Sequence, residues 1–557
     1  MMIKYISLRL SAVFVVIFFT ISCKKDQSFD GEVKDFNQII KAVSKSVDLS
    51  KIYDISYHVQ GASYEWDEPS LNYPNPINTN NFNYLYYGQI DKSKICLQYQ
   101  TFSINQPISY QTKGFQVVID ELEGVISGEY DFKSYYLKMS YPQNLNASRI
   151  ASLSKNLEMA NPVALIKKAI KNKSLSVINN SFYVSTPIQD LFIEIAVDPV
   201  TNLPKFAQVT ESDFLRGDVK FRIEYSNWTN INEINYPSKL HYYLDDLLIK
   251  SEILSNILFN SNINDQIFEL PKVDTPIKYD APNGWMGYIY SQWYNRWMDK
   301  GLLFDQPLNN GAWILEDHDL SSYGLQNQYV SNDIKIVGRP DHSLYSVAIQ
   351  TKAGVFLFEP TLNTFWTRSV LNIIKSKFIG KPISGTIISH MHGAVASGLR
   401  EAAYESKNLY IGSGGKALVD KVLSADYKLN PDALSLHSQP VLINEITDKH
   451  IISEGELEIY YVGGSGNKGG HSSDMIIAYD PRAKAIIQSE LFWSGPFKRV
   501  WNGQAANKYS NAARLEFKAR ANFLKNFITD KQLAVNRIIS VQGGVGSYED
   551  LLDVIKN

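Results

Sequence analysis

The chain has 557 residues, of which 44% are apolar and 20% charged, so it can bury more than one hydrophobic core. Length alone suggests about two to four domains. The formal net charge is −2, with Lys and Arg interleaved among Asp and Glu, which leaves no electrostatic footprint for nucleic acid and disfavours nuclease chemistry.

Residues 1–22 carry Lys4 and Arg9, an apolar run from Leu10 to Phe19, and Thr20-Ile21-Ser22 directly before Cys23. That is the layout of a secretory signal, and the run is too short to span a bilayer comfortably. The small residues before a cysteine resemble a bacterial lipobox, although Thr20 stands where Leu is more usual. The resemblance implies a signal peptide over 1–22 and lipidation of Cys23; an uncleaved anchor or an ordinary signal peptide is the alternative. A polar stretch, Lys24 to Asp30, opens a tether expected over 23–50. Lys24 after the cysteine resembles outer-membrane sorting, so the expected location is the cell envelope of a Gram-negative bacterium, with the membrane reached through the lipid. Cys96 is then the one cysteine left, and no internal disulfide contributes to stability.

From 51 to 275 short runs alternate with period two, as in Leu191 to Val197 and Val219 to Tyr225, punctuated by Asn, Pro, Gly and Asp. They predict an antiparallel β-rich N-terminal domain with one buried face, interrupted by a helix at Pro162 to Lys171. Its later part loosely resembles the half-barrel of exported lipoprotein-carrier-like domains. No cluster of His, Cys or paired carboxylates assigns it chemistry; a packed scaffold is the expectation, with a lipid or glycan binder as the rival. Residues 276–319 form an aromatic-rich connector, with Trp285, Trp293 and Trp297, expected to plug the space between two domains.

From 320 to 557 strand and helix alternate. Strands are expected at Asp333 to Val337, Leu344 to Thr351, Gly354 to Glu359, Gly385 to Ser389, Asn408 to Gly412 and Leu457 to Val462. Helices are expected near Asn363 to Phe378, Ser397 to Ser406, Gly415 to Leu423 and Asn507 to Phe527. A hairpin turns at Asp480-Pro481-Arg482-Ala483-Lys484, and the strand Arg537 to Val541 precedes a last helix capped by Ser547. This alternation indicates a layered α/β domain.

The apolar strand ending at Ser389 runs into His390-Met391-His392-Gly393-Ala394-Val395, then Ser397-Gly398-Leu399-Arg400. Downstream are Gly470-His471-Ser472-Ser473-Asp474, Ser489-Glu490-Leu491-Phe492 and Gln542-Gly543. Together these points resemble the metallo-β-lactamase-fold hydrolases, whose strand ends in His-x-His-x-Asp-His and whose further ligands come from a later His, a bridging Asp and a final His. The resemblance implies an αββα sandwich for 320–557 and hence an α+β two-domain chain. It implies that His390, His392 and His471 keep one metal subsite, for a single zinc ion with water in the open position. In the other subsite Ala394, Val395 and Gln542 replace ligands; Ala and Val offer no lone pair. Glu490, one methylene longer than the usual Asp, is the candidate catalytic residue, as a water-orienting base or a longer-reach ligand. Asp474 and Lys468 are expected at the surface.

Gly464-Ser465-Gly466-Asn467-Lys468-Gly469 fits the dinucleotide pattern, but a strand follows it where the pyrophosphate would need a helix N-terminus. It is expected to be a loop beside the metal pocket. The expected function is hydrolysis of an ester, lactone or amide type bond in a small-molecule substrate. The rival is a catalytically inactive lipoprotein of the same fold that binds a ligand or partner. Neither substrate nor oligomeric state is legible in the sequence.

Overall fold

The computed structural model describes residues 36–556, less 66–76, 105–109, 129–141, 186–191, 274–325, 339–344, 464–470, 493–510 and shorter stretches. The expected signal peptide, Cys23 and the aromatic connector therefore lie outside the described residues. Described strands assemble into three sheets, of fourteen, seven and six strands. Among the described residues no helix is long and apolar enough to cross a membrane.

The fourteen-stranded sheet draws all its strands from between Asp54 and Phe259. Its first long strand, Asp54–Glu65, pairs antiparallel with its last, Leu247–Phe259, so the stretch closes on itself in sequence. Alternation produces the sheet: in Gly217–Ile231 every second side chain is buried from Gly217 to Tyr225. Three helices, Phe36–Val43, Ala147–Met159 and Pro162–Asn172, share the core of that buried face, contributing Ile39, Val43, Met159 and Leu165 beside Tyr57, Tyr84 and Tyr236.

Two expectations change here. The stretch read as tether to residue 50 is folded from Phe36 on, because Ile39, Val43 and Leu49 are buried against the sheet. A second helix, Ala147–Met159, precedes the expected one; its apolar row is narrow, Ile150, Leu153 and Leu157, in an otherwise polar segment. The expected helix is bounded as the sequence indicates, with Pro162 in its first turn and the Asn161 side chain accepting from Ala164 N at 3.1 Å.

Beyond residue 325 the seven-stranded sheet begins antiparallel and turns parallel through Gly354–Phe358, Ile383–Ile387, Asn408–Gly412 and Leu442–Ile446. The six-stranded sheet is antiparallel except where Ala485–Gln488 lies parallel to Arg537–Ser540. The two pack face to face, because Ile336, Val347, Phe356 and Ile387 of one share a core with Ile459, Ile476, Ile487 and Ile539 of the other. Helix Thr364–Lys377 supplies Trp366, Val370 and Ile374 on one side. Helices Asn511–Asp530 and Tyr548–Lys556 supply Leu524, Ile528 and Leu551 on the other, against Ile477, Ile486 and Ile538. The last helix starts where expected: Ser547 Oγ accepts from Asp550 N at 3.1 Å while Asp550 accepts from Ser547 N at 2.8 Å. Strands Leu442–Ile446, Lys449–Ile452 and Gly544–Ser547 were not expected.

Among the described residues, the part built on the large sheet touches this layered part through Leu153 of Ala147–Met159, which packs against the core between the two smaller sheets, and through the turn before Gly217–Ile231. Asp218 N donates to Asp426 O at 2.7 Å, and the Asp218 carboxylate accepts from Lys428 N at 2.7 Å. Gly217 makes the approach possible, with φ of +77 and a Cβ position only 2.0 Å from Asp426 O. Leu215, two residues earlier, is buried in the cluster that also holds Ile388 and Met391.

Candidate metal centre

The chain leaves the sheet after Ile387 and is held there by an acid from the neighbouring strand. Glu359, fully buried and with φ of 66, accepts from Ser389 N at 3.0 Å. Burial pushes the Glu359 carboxyl well above its ordinary pKa, with Ser389 opposing the shift and Glu490 and Asp474 adding to it. Ser389 Oγ lies 2.8 Å from His390 Nδ1, which turns the ring so that Nε2 is its remaining buried nitrogen. Met391 buries its side chain among Ile388, Leu399 and Ile411, and its N–H donates to Asp474 at 2.8 Å. His392 then opens the single turn Gly393–Ala396.

The other two groups come from the second sheet. His471 precedes Asp474, whose carboxylate also accepts from Ser472 Oγ. Ile476 N donates to Ser389 O at 2.7 Å, which ties the two sheets together beside the histidines. Glu490 follows Ala485–Gln488 in a turn fixed by the Gln488 side chain, which accepts from Leu491 N at 2.8 Å and Phe492 N at 3.2 Å.

The structure thus brings together all four residues singled out in the sequence. One ligand atom from each of His390, His392, His471 and Glu490 lies within 4.8 Å of every other. The His390 ring centroid is 5.6 Å from that of His392 and 4.9 Å from that of His471. The Glu490 carboxylate spans two of the rings, with Oε1 3.4 Å from His392 Nδ1 and Oε2 3.0 Å from His471 Nε2. His390 Nε2 is buried with no hydrogen-bond partner, and His471 Nε2 is buried beside the Glu490 carboxylate. Burial, then the nearby His471, holds His390 well below its ordinary pKa, which favours the neutral imidazole. Burial would raise the Glu490 pKa, but His471 and His392 outweigh it and keep the carboxylate ionised. Three imidazoles and a carboxylate converging with buried nitrogen lone pairs fit the donor set of a metal ion.

Several outcomes differ from the sequence reading. Asp474, expected at the surface, is fully buried, because its carboxylate is the acceptor for Met391 N and Ser472 Oγ. Val395 packs in the core between the sheets, consistent with a side chain that offers no ligand. Lys468, the glycine loop 464–470 and Gln542 lie outside the described residues. Arg520 was missed: it is 6% exposed on Asn511–Asp530, and its Nη1 is 3.3 Å from Glu490 O and 3.6 Å from Glu490 Oε2. The signal available was a cation one turn before Leu524 on the helix's apolar row, Ala521, Leu524 and Ile528.

No family model and no curated relative matches the sequence. Among solved structures, that of DIM-1 metallo-beta-lactamase aligns at 16% identity with a TM-score of 0.29, covering 42% of this chain and 95% of that one. Those of TMB-1, at 15% identity and TM-score 0.30, and VMB-1, at 16% and 0.29, cover the same shares. Likenesses at these scores add no weight to fold or activity, which rest on the residues themselves.

Proposed function

We propose that this chain is a metallo-β-lactamase-fold hydrolase-like protein in which His390, His392 and His471 hold one zinc ion beside Glu490. The observation that carries the reading is the pair of buried Nε2 atoms, on His390 and His471, that converge with His392 and an ionised carboxylate. A bound zinc ion would act there as a Lewis acid and bring the pKa of a water toward neutrality. Glu490, ionised and aimed across two rings, would orient that water and accept a proton at Oε1 or Oε2. The burial of His390 favours its uncharged ring, the form that can ligate a metal ion. The substrate would be a small molecule with an ester, lactone or amide type bond.

The wider organisation belongs to the same proposal: a β-rich N-terminal domain over 51–275, a metallo-β-lactamase-like domain over 320–557, and a lipid anchor at Cys23 in the outer membrane. The drawing of one sheet from Asp54 to Phe259 and of two others from Gln326 onward supports the division. A catalytically inactive, ligand-binding descendant is the second reading, favoured by the burial of Val395 in the core where the fold's usual motif has a ligand.

Metal analysis of the gently purified chain tests the centre. The expected result is close to one zinc per chain in the unaltered protein and essentially none in His392→Ala. Absence of zinc, iron and manganese from the unaltered protein removes the hydrolase reading.

A further inference from the structure

The geometry points to Arg520 as the residue that positions Glu490, a role that rests on the metal-centre reading above. Arg520 is a buried cation, and it faces Glu490 twice with one nitrogen. Nη1 donates to the backbone O of Glu490 at 3.3 Å and stands 3.6 Å from its Oε2. Main chain and side chain of one residue are therefore held from a single point, which restricts the torsions that decide where the carboxylate lies. The same Oε2 is the atom 3.0 Å from His471 Nε2, while Oε1 reaches toward His392.

The helix supplies the rigidity that such a role needs. Ala521, Leu524 and Ile528 bury the row beside Arg520 against the six-stranded sheet, so the arginine projects from the middle of an anchored element. A guanidinium stays charged at any pH the protein meets, so a positive charge is fixed beside the centre whether or not a metal is bound. Arg520 touches Glu490 rather than the position of a reacting atom, and is a positioning residue.

The test uses Co(II) as the probe in the full chain, with its visible absorption spectrum and its affinity as readouts. Arg520→Met is expected to lower Co(II) affinity ~10-fold or more, the usual effect of removing a group that orients a ligand, and to alter the absorption band. Arg520→Lys keeps the charge but not the reach, and should restore affinity in part while leaving the band altered. A Co(II) spectrum and affinity unchanged in a folded Arg520→Met protein, as judged by its circular dichroism, overturns the role and leaves the metal centre standing. Failure of the unaltered chain to bind Co(II) overturns the metal reading and this one with it.

Discussion

The backbone N–H of Met391 donates to the Asp474 carboxylate at 2.8 Å, joining the residue between two of the histidines to an acid three positions beyond the third. The bond spans 83 residues of sequence and connects the two sheets at the point where the candidate ligands converge.

Replacing Asp474 by Ala therefore strips a buried N–H of its acceptor and loosens the path from His390 to His392. The expected cost is ~1–3 kcal/mol of stability, read as a fall in the urea midpoint of the metal-free protein. Zinc affinity should drop ~10–100-fold in a competition titration. Asp474→Asn keeps an acceptor oxygen and should retain most of both. Undiminished affinity in a folded Asp474→Ala protein would show that the bond does not shape the centre.

Between helix Ala147–Met159 and the large sheet, Lys155 and Glu211 form a buried ion pair, 3% and 0% exposed, with the ammonium 4.9 Å from the centre of the Phe221 ring. Lys155→Met removes the cation and leaves a buried carboxylate to be accommodated, at an expected cost of ~3–5 kcal/mol. The double change Lys155→Met with Glu211→Met should recover most of the loss. Denaturant midpoints of the two proteins decide the matter, and equal midpoints would mean that the pair is not coupled.

Burial raises the Cys96 thiol from 9.0 to about 12, so almost no thiolate exists at neutral pH. In a Cys23→Ser background, where Cys96 is the sole thiol, alkylation at pH 8 should be ~1,000-fold slower in the folded protein than in urea, in line with the shift in thiolate fraction. Comparable rates in the two conditions would place Cys96 at the surface.

Much of the layered part was legible from local pattern. Asn408–Gly412 forms as expected, and Thr364–Lys377, Tyr345–Thr351 and the hairpin after Asp480 fall within a few residues of expectation, because apolar spacing and turn residues are local signals. Leu442–Ile446 and Lys449–Ile452 were not legible. Their burial is incomplete and irregular, and pairing with a neighbouring strand rather than alternation makes them strands. Helix Phe36–Val43 was legible but missed: Phe36, Ile39, Ile40 and Val43 recur at helical spacing, and Ile39 and Val43 are buried in the core of the large sheet.

By itself the sequence determined which side chains could converge: His390 and His392 share one strand end, and His471 and Glu490 flank one hairpin, so their chemistry is written in local order. Only the tertiary structure decided what surrounds them. Glu359 under Ser389, Asp474 under Met391 and Arg520 behind Glu490 are contacts between residues 30, 83 and 30 apart. Each is a buried ionisable group whose desolvation must be offset by a specific partner. Which partner arrives depends on how sheets and helices pack, and no local pattern encodes that.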